Sequence, residues 1–387
     1  MRTSNDMKRA LLLAPMGSVH RRFNQANIAA LQSLGLQVEL CANFENGNGP
    51  EIHNQSFVEE CEIRGIKTHS ILFARHSLTG SLKCLSQLKE LLSREQYDLV
   101  HTHTETGGLL LKLAHSEKGK SKFIFTPHGM SFWKGSSFKS QLLYKPLERW
   151  ICSGMDMNLG MNREELECLE SWNRNNATYV HGIGLDLSRF ESRYDSSKAV
   201  RKEFLLSTNE KLVLSVGELD NNKNHITVIR ALAQLGRKDW KYVICGVGPN
   251  EDILMQEAER MGLKEHVVLA GYRSDIPDVL NAADIFVFPS FHEGMPVSML
   301  EAMAYSLPVV CSAIRGNVDV VRDGDNGYLF KPSDVDTLSR KIALLMDNEA
   351  LRLQMGAKNK KIVREFSLEA VTEELKAIYS KVLYDSE

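Results

Sequence analysis

The chain has 387 residues, 43% hydrophobic and 25% charged, and 47 lysines and arginines against 49 aspartates and glutamates give a formal net charge of −2. That length predicts two domains, because single cores stop growing well short of it, and the near-neutral balance gives no electrostatic case for a nucleic-acid partner. Seven cysteines lie scattered at 41, 61, 84, 152, 168, 245 and 311 with no C-x-x-C pair, so neither a zinc site nor a disulfide framework is indicated and a reducing compartment is expected.

Lys8-Arg9 followed by Ala10-Leu-Leu-Leu-Ala-Pro15 imitates the start of a signal peptide. The apolar part is too short and no small-residue cleavage site follows, so it reads as a first strand. No apolar run approaches the roughly 18 residues of a membrane span, and a cytoplasmic location is expected. Strand-like and helix-like segments then alternate, the pattern of parallel sheets covered by helices. In the first half, strands are predicted near 9–14, 36–41, 69–73, 98–102, 123–126 and 177–181, and helices near 21–34, 81–95, 107–118, 138–152 and 163–172. In the second half, strands are predicted near 211–216, 241–245, 267–270, 284–288, 308–311 and 328–330. Helices there fall near 225–235, 250–261, 275–282, 297–305, 335–346 and 349–364, and a last amphipathic helix runs over 367–383. The break lies near 183–205, where Gly182 and Gly184 precede a polar stretch from Ser188 to Ser197. The fold class expected is α/β, two doubly wound parallel-sheet domains with a cleft between them: 1–185, joined by the C-terminal helix 367–387, and 200–364.

The most informative stretch is Glu293-Gly-Met-Pro-Val-Ser-Met-Leu-Glu301. It follows the buried run Asp284-Ile-Phe-Val-Phe-Pro289, so Glu293 sits at the carboxyl end of a strand, where open α/β sheets bind ligands. Pro296 suits the first position of the helix that follows, and Glu301 lies one turn beyond Val297, able to face the same crevice. N–H groups at that helix start suit a phosphate. Taken alone, a capping Glu293 and a solvated Glu301 would explain the pair as well. The loop Gly217-Glu-Leu-Asp-Asn-Asn-Lys223-Asn-His225 also follows a strand and opens a helix, so Lys223 can meet a bound diphosphate; an isolated lysine there would read as solvated.

Cys245-Gly-Val-Gly-Pro249 resembles the opening of a dinucleotide fingerprint, but Glu251 stands where the third glycine belongs, leaving a tight strand-to-helix turn. Thr126-Pro-His-Gly129 ends another strand, and His128 between proline and glycine can hydrogen-bond a sugar hydroxyl or orient an acceptor, a capping histidine being the plainer alternative. His101 and His103 alternate onto one face of a strand end with no third metal ligand in view, and read as structural or supporting. Gly17 follows the first strand at a helix start, the place for backbone approach to a phosphate or sugar; Arg21 and Arg22 read as solvated. From Phe132 to Trp150, Lys134, Lys139, Lys145 and Arg149 interleave with aromatic and aliphatic residues. A membrane-surface patch and an amphipathic helix packed on the sheet explain that stretch about equally. Asp323-Gly-Asp325 matches a metal-holding D-x-D, but its D-G and N-G pairs make a turn the better reading, and no metal site is expected.

Taken in order, these pieces resemble a retaining glycosyltransferase of GT-B architecture, in the large family four group. The resemblance is carried by the E-x7-E of Glu293 and Glu301, the Gly217 to Lys223 loop and Thr126-Pro-His-Gly129. Gly182-Ile-Gly-Leu-Asp186, Gly271-Tyr-Arg-Ser-Asp275 and Asp323-Gly-Asp-Asn-Gly327 add to it, in family order over nearly the whole length. The 217–225 run, Ile314-Arg-Gly-Asn317 and the stretch from His128 through Lys145 to Trp150 are similar to the branch that builds exopolysaccharide, capsule or O-antigen units. One departure is Glu218, where most of the family has arginine beside the diphosphate. Its carboxylate is expected to point away or to pair with a cation, with Lys223 and Arg315 sharing the diphosphate charge.

The resemblance implies transfer of a hexose or N-acetylhexosamine from a nucleotide sugar, UDP-linked, to a glycan or polyprenol-diphosphate-linked acceptor, with retention and without a metal or other cofactor. It implies that Glu293 holds the donor sugar's hydroxyls and Glu301 the ribose, and that Gly271, Tyr272 and Arg273 line the base pocket. The main chain of Gly294, Met295, Pro296 and Val297 would face the diphosphate, and His128 and Gly17 would complete the site from the other domain on closure. A polyprenol-linked acceptor would place the protein at the inner face of the cell membrane, touching it through 132–150. A nucleotide-sugar epimerase of the same architecture, and a sugar-nucleotide-binding protein without activity, are the competing readings. The first is disfavoured by the E-x7-E together with Lys223, and the second is supported by Glu218 alone.

Overall fold

A computed structural model describes residues 7–45, 54–73, 78–114, 121–190 and 194–384. The chain divides into two units, 1–184 with 368–387 and 185–367. Among the described residues the first unit holds a seven-stranded sheet of β1 (Arg9–Met16), β2 (Gln37–Asn43), β3 (Lys67–Ser70), β4 (Leu99–His103), β5 (Lys122–Thr126), β6 (Met157–Gly160) and β7 (Ala177–Tyr179), in the order 3-2-1-4-5-6-7. The second holds β8 (Lys211–Val216), β9 (Trp240–Cys245), β10 (Val267–Gly271), β11 (Ile285–Phe288), β12 (Val309–Ser312) and β13 (Gly327–Phe330), in the order 10-9-8-11-12-13. Each strand pairing is parallel. Both units are thus Rossmann-like, as the alternation in the sequence leads one to expect.

Burial on both faces explains why these strands read as apolar runs. Leu212, Leu214, Phe286, Phe288, Val309 and Cys311 belong to one core of the second unit, while their neighbours Val213, Ile285, Val287 and Val310 belong to the other. In each sheet the strand order reverses beside the first strand, between β1 and β4 and between β8 and β11. In open α/β sheets, ligands bind outside the carboxyl ends of the strands at such a reversal.

Several elements differ from expectation. The predicted helix 21–34 is two helices, Gly17–Phe23 and Gln25–Ser33, separated at buried Asn24, whose side-chain amide bonds His20 Nδ1 at 2.8 Å. Strand β6, Met-Asn-Leu-Gly, was not predicted, and helices at Asn54–Ile63, Tyr194–Glu203 and Asn317–Val320 were missed too. The segment read as a linker over 183–205 therefore carries a helix, with 191–193 outside the described residues; 115–118 of the helix predicted over 107–118 also lie outside them.

The C-terminal helix Leu368–Tyr384 buries Val371, Leu375, Tyr379 and Val382 along one stripe and packs on Gln25–Ser33. The Tyr379 hydroxyl donates to Asn27 Oδ1 at 2.7 Å and accepts from His101 Nδ1 at 2.8 Å, and Glu374 accepts from the His181 N–H at 2.9 Å.

Within the same unit, the fully buried Glu39 accepts from Arg9 Nε at 3.1 Å, Tyr97 Oη at 2.9 Å and His69 Nε2 at 2.6 Å. Burial alone would raise its carboxyl, but the hydrogen bonds from His69, Arg9 and Tyr97 outweigh it and bring the pKa down from 4.5 to about 2. The stability this pairing contributes is present above the ordinary value and is lost as pH falls toward the folded one. Thermal melts between pH 5 and pH 2 should show a steeper loss in the wild type than in Glu39→Gln, which starts less stable at neutral pH.

Candidate active site

Residues expected to bind the donor gather at the carboxyl ends of the second sheet. The loop after β8 carries Lys223 and the loop after β11 carries Glu293, so they flank the point where the strand order reverses. Lys223 Nζ donates to Glu293 Oε1 at 2.6 Å and lies 5.5 Å from the Phe288 ring centre. The Asp220 carboxylate folds the first loop by accepting from the Lys223 N–H at 2.7 Å. Asn222 then laces it to the second, its carbonyl accepting from the Phe291 N–H at 2.8 Å and its amide donating to the His292 carbonyl at 3.0 Å. Asn224, buried and left-handed at φ 54°, donates to the carbonyls of Pro289 at 3.0 Å and Pro332 at 2.8 Å. The lysine loop is thereby fixed to the ends of β11 and β13.

The loop after β12 brings a third charge. Arg315 is buried; its Nε donates to the Glu293 carbonyl at 3.2 Å and its guanidinium also donates to His292 Nε2. Burial, then the positive charges of Arg315 and Lys223, lower the His292 pKa to about 4. It is therefore neutral at pH 7 and able to accept from Arg315. Gly316 allows the close approach. Its φ is 78° and a side chain there would meet the Gly294 carbonyl at 2.7 Å. Helix Val297–Ala304 starts directly beyond; Pro296 is its cap residue rather than its first helical residue, at φ −83° and ψ 67°. Pro296 still contributes its carbonyl, which accepts from the Leu300 N–H at 3.0 Å. Met295 and Val297 pack on the core beneath, and Glu301 is half-buried on this helix.

Glycines 246 and 248 serve backbone packing, not a dinucleotide. A Cβ on either would lie within 2.7 Å of the main chain of Gly217 or Leu219, and Leu219 exchanges hydrogen bonds with Val247 and Asn250. Gly271 adopts φ 66° and its carbonyl accepts from the Gly246 N–H at 2.8 Å. Tyr272 is exposed. The Arg273 guanidinium is committed to Asp275 and Glu203, above the Phe204 ring at 5.4 Å, so this stretch offers its main chain rather than a charge. Glu218 is exposed. Asp323 accepts from the Leu329 N–H at 2.9 Å and Asp325 pairs with Lys358, the bonds of a turn. No group of three or more histidine, cysteine or acidic side chains placed to hold a metal occurs among the described residues.

The first unit has its own strand-end group. Gly17 opens helix Gly17–Phe23 directly after β1 and is buried, while Arg21 and Arg22 are exposed. Strand register sets His103 against Thr126, so His128, two residues on, meets it: His103 Nδ1 and His128 Nε2 are 2.9 Å apart. His101 lies against His103 with ring centres 4.2 Å apart and planes tilted by 34°, and bonds Thr126 Oγ1 at 2.8 Å. His128 holds a left-handed backbone at φ 60°, and burial lowers its pKa to about 4, so the ring is neutral at pH 7. Helix Phe138–Cys152 departs from simple packing on the sheet. Glu148, Ile151 and Cys152 are buried, but Phe138, Leu142 and Leu143 are 79%, 65% and 64% exposed.

His292, Asn222, Asn224 and Asp220 were not anticipated from sequence. The only local signal was an asparagine-rich loop before a helix, and the contacts depend on which strands become neighbours.

Residues 196–362 match the family described as glycosyl transferases group 1, and residues 20–181 match the glycosyl transferase 4-like domain. A Bacillus subtilis glycosyltransferase named EpsD is 32% identical over 307 residues, 78% of this chain and 81% of its own length. The Escherichia coli UDP-Gal:α-D-GlcNAc-diphosphoundecaprenol α-1,3-galactosyltransferase is 30% identical over 316 residues, 78% of this chain and 80% of its own. Among solved structures, Anabaena HepE in complex with UDP superposes with a TM-score of 0.78 at 18% identity, covering 97% of this chain and 100% of that one. With the paired parallel sheets and the loops just described, these likenesses agree: the chain belongs to the group 1 glycosyltransferases of family four, and it is a glycosyltransferase of GT-B fold.

Proposed function

We propose that the protein moves a hexose or N-acetylhexosamine from a UDP-sugar to a polyprenol-diphosphate-linked saccharide in surface polysaccharide assembly, with retention at the anomeric carbon. The observation that carries the reading is the Lys223–Glu293 ion pair beside Arg315, at the point where the second sheet reverses order. Cleaving the sugar C1–O bond adds a negative charge to the diphosphate, whose terminal phosphate becomes a dianion until it takes the acceptor proton. Lys223 would release Glu293 and turn to that charge, Arg315 would share it, and the first N–H groups of helix Val297–Ala304 would add to it. Glu293, freed of the lysine, would take the donor sugar's hydroxyls, and Glu301 the ribose hydroxyls. The main chain of Gly271, Tyr272 and Arg273 would line the base, with that of Gly294, Met295 and Pro296 along the diphosphate. His128 and Gly17 would serve the sugar and acceptor. The donor's own phosphate oxygen would take the acceptor proton on the face the acceptor enters, so neither glutamate need act as a nucleophile and no metal is required.

The acceptor class is supported by the name of the E. coli relative, and polysaccharide assembly by that of a Staphylococcus aureus glycosyltransferase named for capsular polysaccharide biosynthesis. Incubation with UDP-glucose, UDP-galactose and their N-acetyl forms plus GlcNAc-diphosphoundecaprenol tests the reading. An α-linked product with UDP release is expected; donor epimerised in the absence of acceptor would overturn it.

No helix among the described residues is long and apolar enough to cross a membrane. The exposed Phe138, Leu142 and Leu143, set among Lys139, Lys145 and Arg149, would meet the surface bearing the acceptor, each basic residue adding about 1 kcal/mol near anionic lipid. Co-sedimentation with phosphatidylglycerol vesicles should be strong at low salt and lost in Leu142→Glu/Leu143→Glu, with the fold retained.

A further inference from the structure

Beyond His128 and Gly129 the chain enters Met130–Ser131, and three helices of the first unit grip this short stretch with carboxyl groups. Glu105, on Thr104–Ala114, accepts from the Ser131 N–H at 2.6 Å and from its hydroxyl. Glu148, on Phe138–Cys152, accepts from the same N–H at 2.9 Å. Glu165, on Arg163–Asn173, accepts from the Met130 N–H at 3.0 Å and the Met161 N–H at 3.2 Å. The Ser140 hydroxyl donates to the Ser131 carbonyl at 2.7 Å.

Two carboxyl oxygens meeting on one N–H are near neighbours, and a neighbouring carboxylate disfavours the charged form of a buried one. Glu148 is 1% exposed, and its Oε2 is buried with no N–H or O–H donor among the described residues, while Glu105 lies within hydrogen-bonding reach. A proton on the Glu148 carboxyl removes the charge that this buried site leaves without a full set of donors. Burial, then the hydrogen bond and charge of Glu105, then the charge of Glu165 raise the Glu148 carboxyl well above the ordinary carboxylate range, against the Ser131 N–H. Other titratable groups nearby are Cys152 on the same helix and Cys168 on Arg163–Asn173; Lys145 lies by Cys168 and 5.9 Å from the Phe132 ring centre.

We propose that Glu148 holds a proton, and that this neutral carboxyl, with Glu105 and Glu165, clamps Met130–Ser131 so that His128 keeps its place at the strand end. Glu148 is thus a positioning residue for His128. His128 at φ 60° and Gly129 at φ 110° are consecutive left-handed residues, a conformation that persists only where the surroundings hold it. The assignment rests on the role given above to His128.

Infrared spectroscopy and histidine NMR on the full chain test it. At neutral pH the wild type should show a protonated-carboxyl stretch that Glu148→Gln lacks. The His128 ring resonances, assigned by their loss in His128→Gln, should stay in place in Glu148→Gln. They should shift in Glu148→Ala, and in the wild type once alkali removes the carboxyl band. Turnover should fall about 10²-fold in Glu148→Ala, as misplacement by about 1 Å does, and should be largely restored in Glu148→Gln. Should the alanine variant not fold, Glu148→Asp, which withdraws the carboxyl from Ser131, takes its place. A carboxyl band surviving in Glu148→Gln overturns the proton on Glu148, and unmoved His128 resonances in the alanine or aspartate variant overturn the positioning. Wild-type turnover in His128→Gln would instead overturn the role of His128 itself, with the spectra unaffected.

Discussion

Lys223→Ala is expected to lower kcat by about 10²–10³, the usual loss on removing one preorganised donor to a developing negative charge. The fold should survive. Lys223 is partly exposed, and its loop is fixed by Asp220, Asn222 and Asn224 through bonds that leave the ammonium group out. Arg315 remains beside Glu293, so catalysis should be crippled rather than abolished, and Arg315→Ala should be impaired in the same direction. Steady-state kinetics with the UDP-sugar selected by screening, together with a circular dichroism melt, check the claim. Turnover within threefold of wild type in either variant would remove that side chain from the diphosphate site.

Glu293→Gln should separate binding from turnover. The carboxylate neutralises Lys223 at 2.6 Å before any donor arrives, and that ion pair must be exchanged for lysine–phosphate contacts. With the charge gone, UDP should bind at least as tightly as to the wild type. The sugar hydroxyls lose a charged acceptor, so kcat should fall by about 10². Titration calorimetry with UDP and initial rates with the donor read the two effects independently. In the Lys223→Ala/Glu293→Gln double variant the losses should not add, since the residues touch. Full activity in Glu293→Gln would refute its role.

Most strands were legible because those buried on both faces are largely apolar, as at Leu11, Leu12 and Leu13 and in Ile285–Phe288, and are followed by glycine, proline or polar residues. Met157–Gly160 was not, because an asparagine and a glycine in four residues carry no strand signal, and its place between β5 and β7 is set by the sheet. The helix at Tyr194–Glu203 was hidden by a polar composition of the kind linkers share. The strand-end positions of Lys223, Glu293, Gly17 and His128 were legible because each stands in a short motif that follows an apolar run. His292, Asn224 and the Glu105–Glu148–Glu165 cluster could not. Apart from Met161 beside Glu165, the partners named above lie 17 to 108 residues away, and only the fold brings them together. Glu148 falls in a helix whose sequence draws attention to its basic and aromatic residues instead.

Thermal unfolding with UDP, GDP, ADP and dTDP, with and without magnesium, tests the central claim most directly. A nucleotide at about 100 times its Kd adds roughly 2.7 kcal/mol of stability, enough to raise the melting temperature clearly. The predicted result is a selective rise with UDP that needs no metal and is weakened in Lys223→Ala. No shift with any nucleotide, or a shift strictly dependent on magnesium, would contradict it.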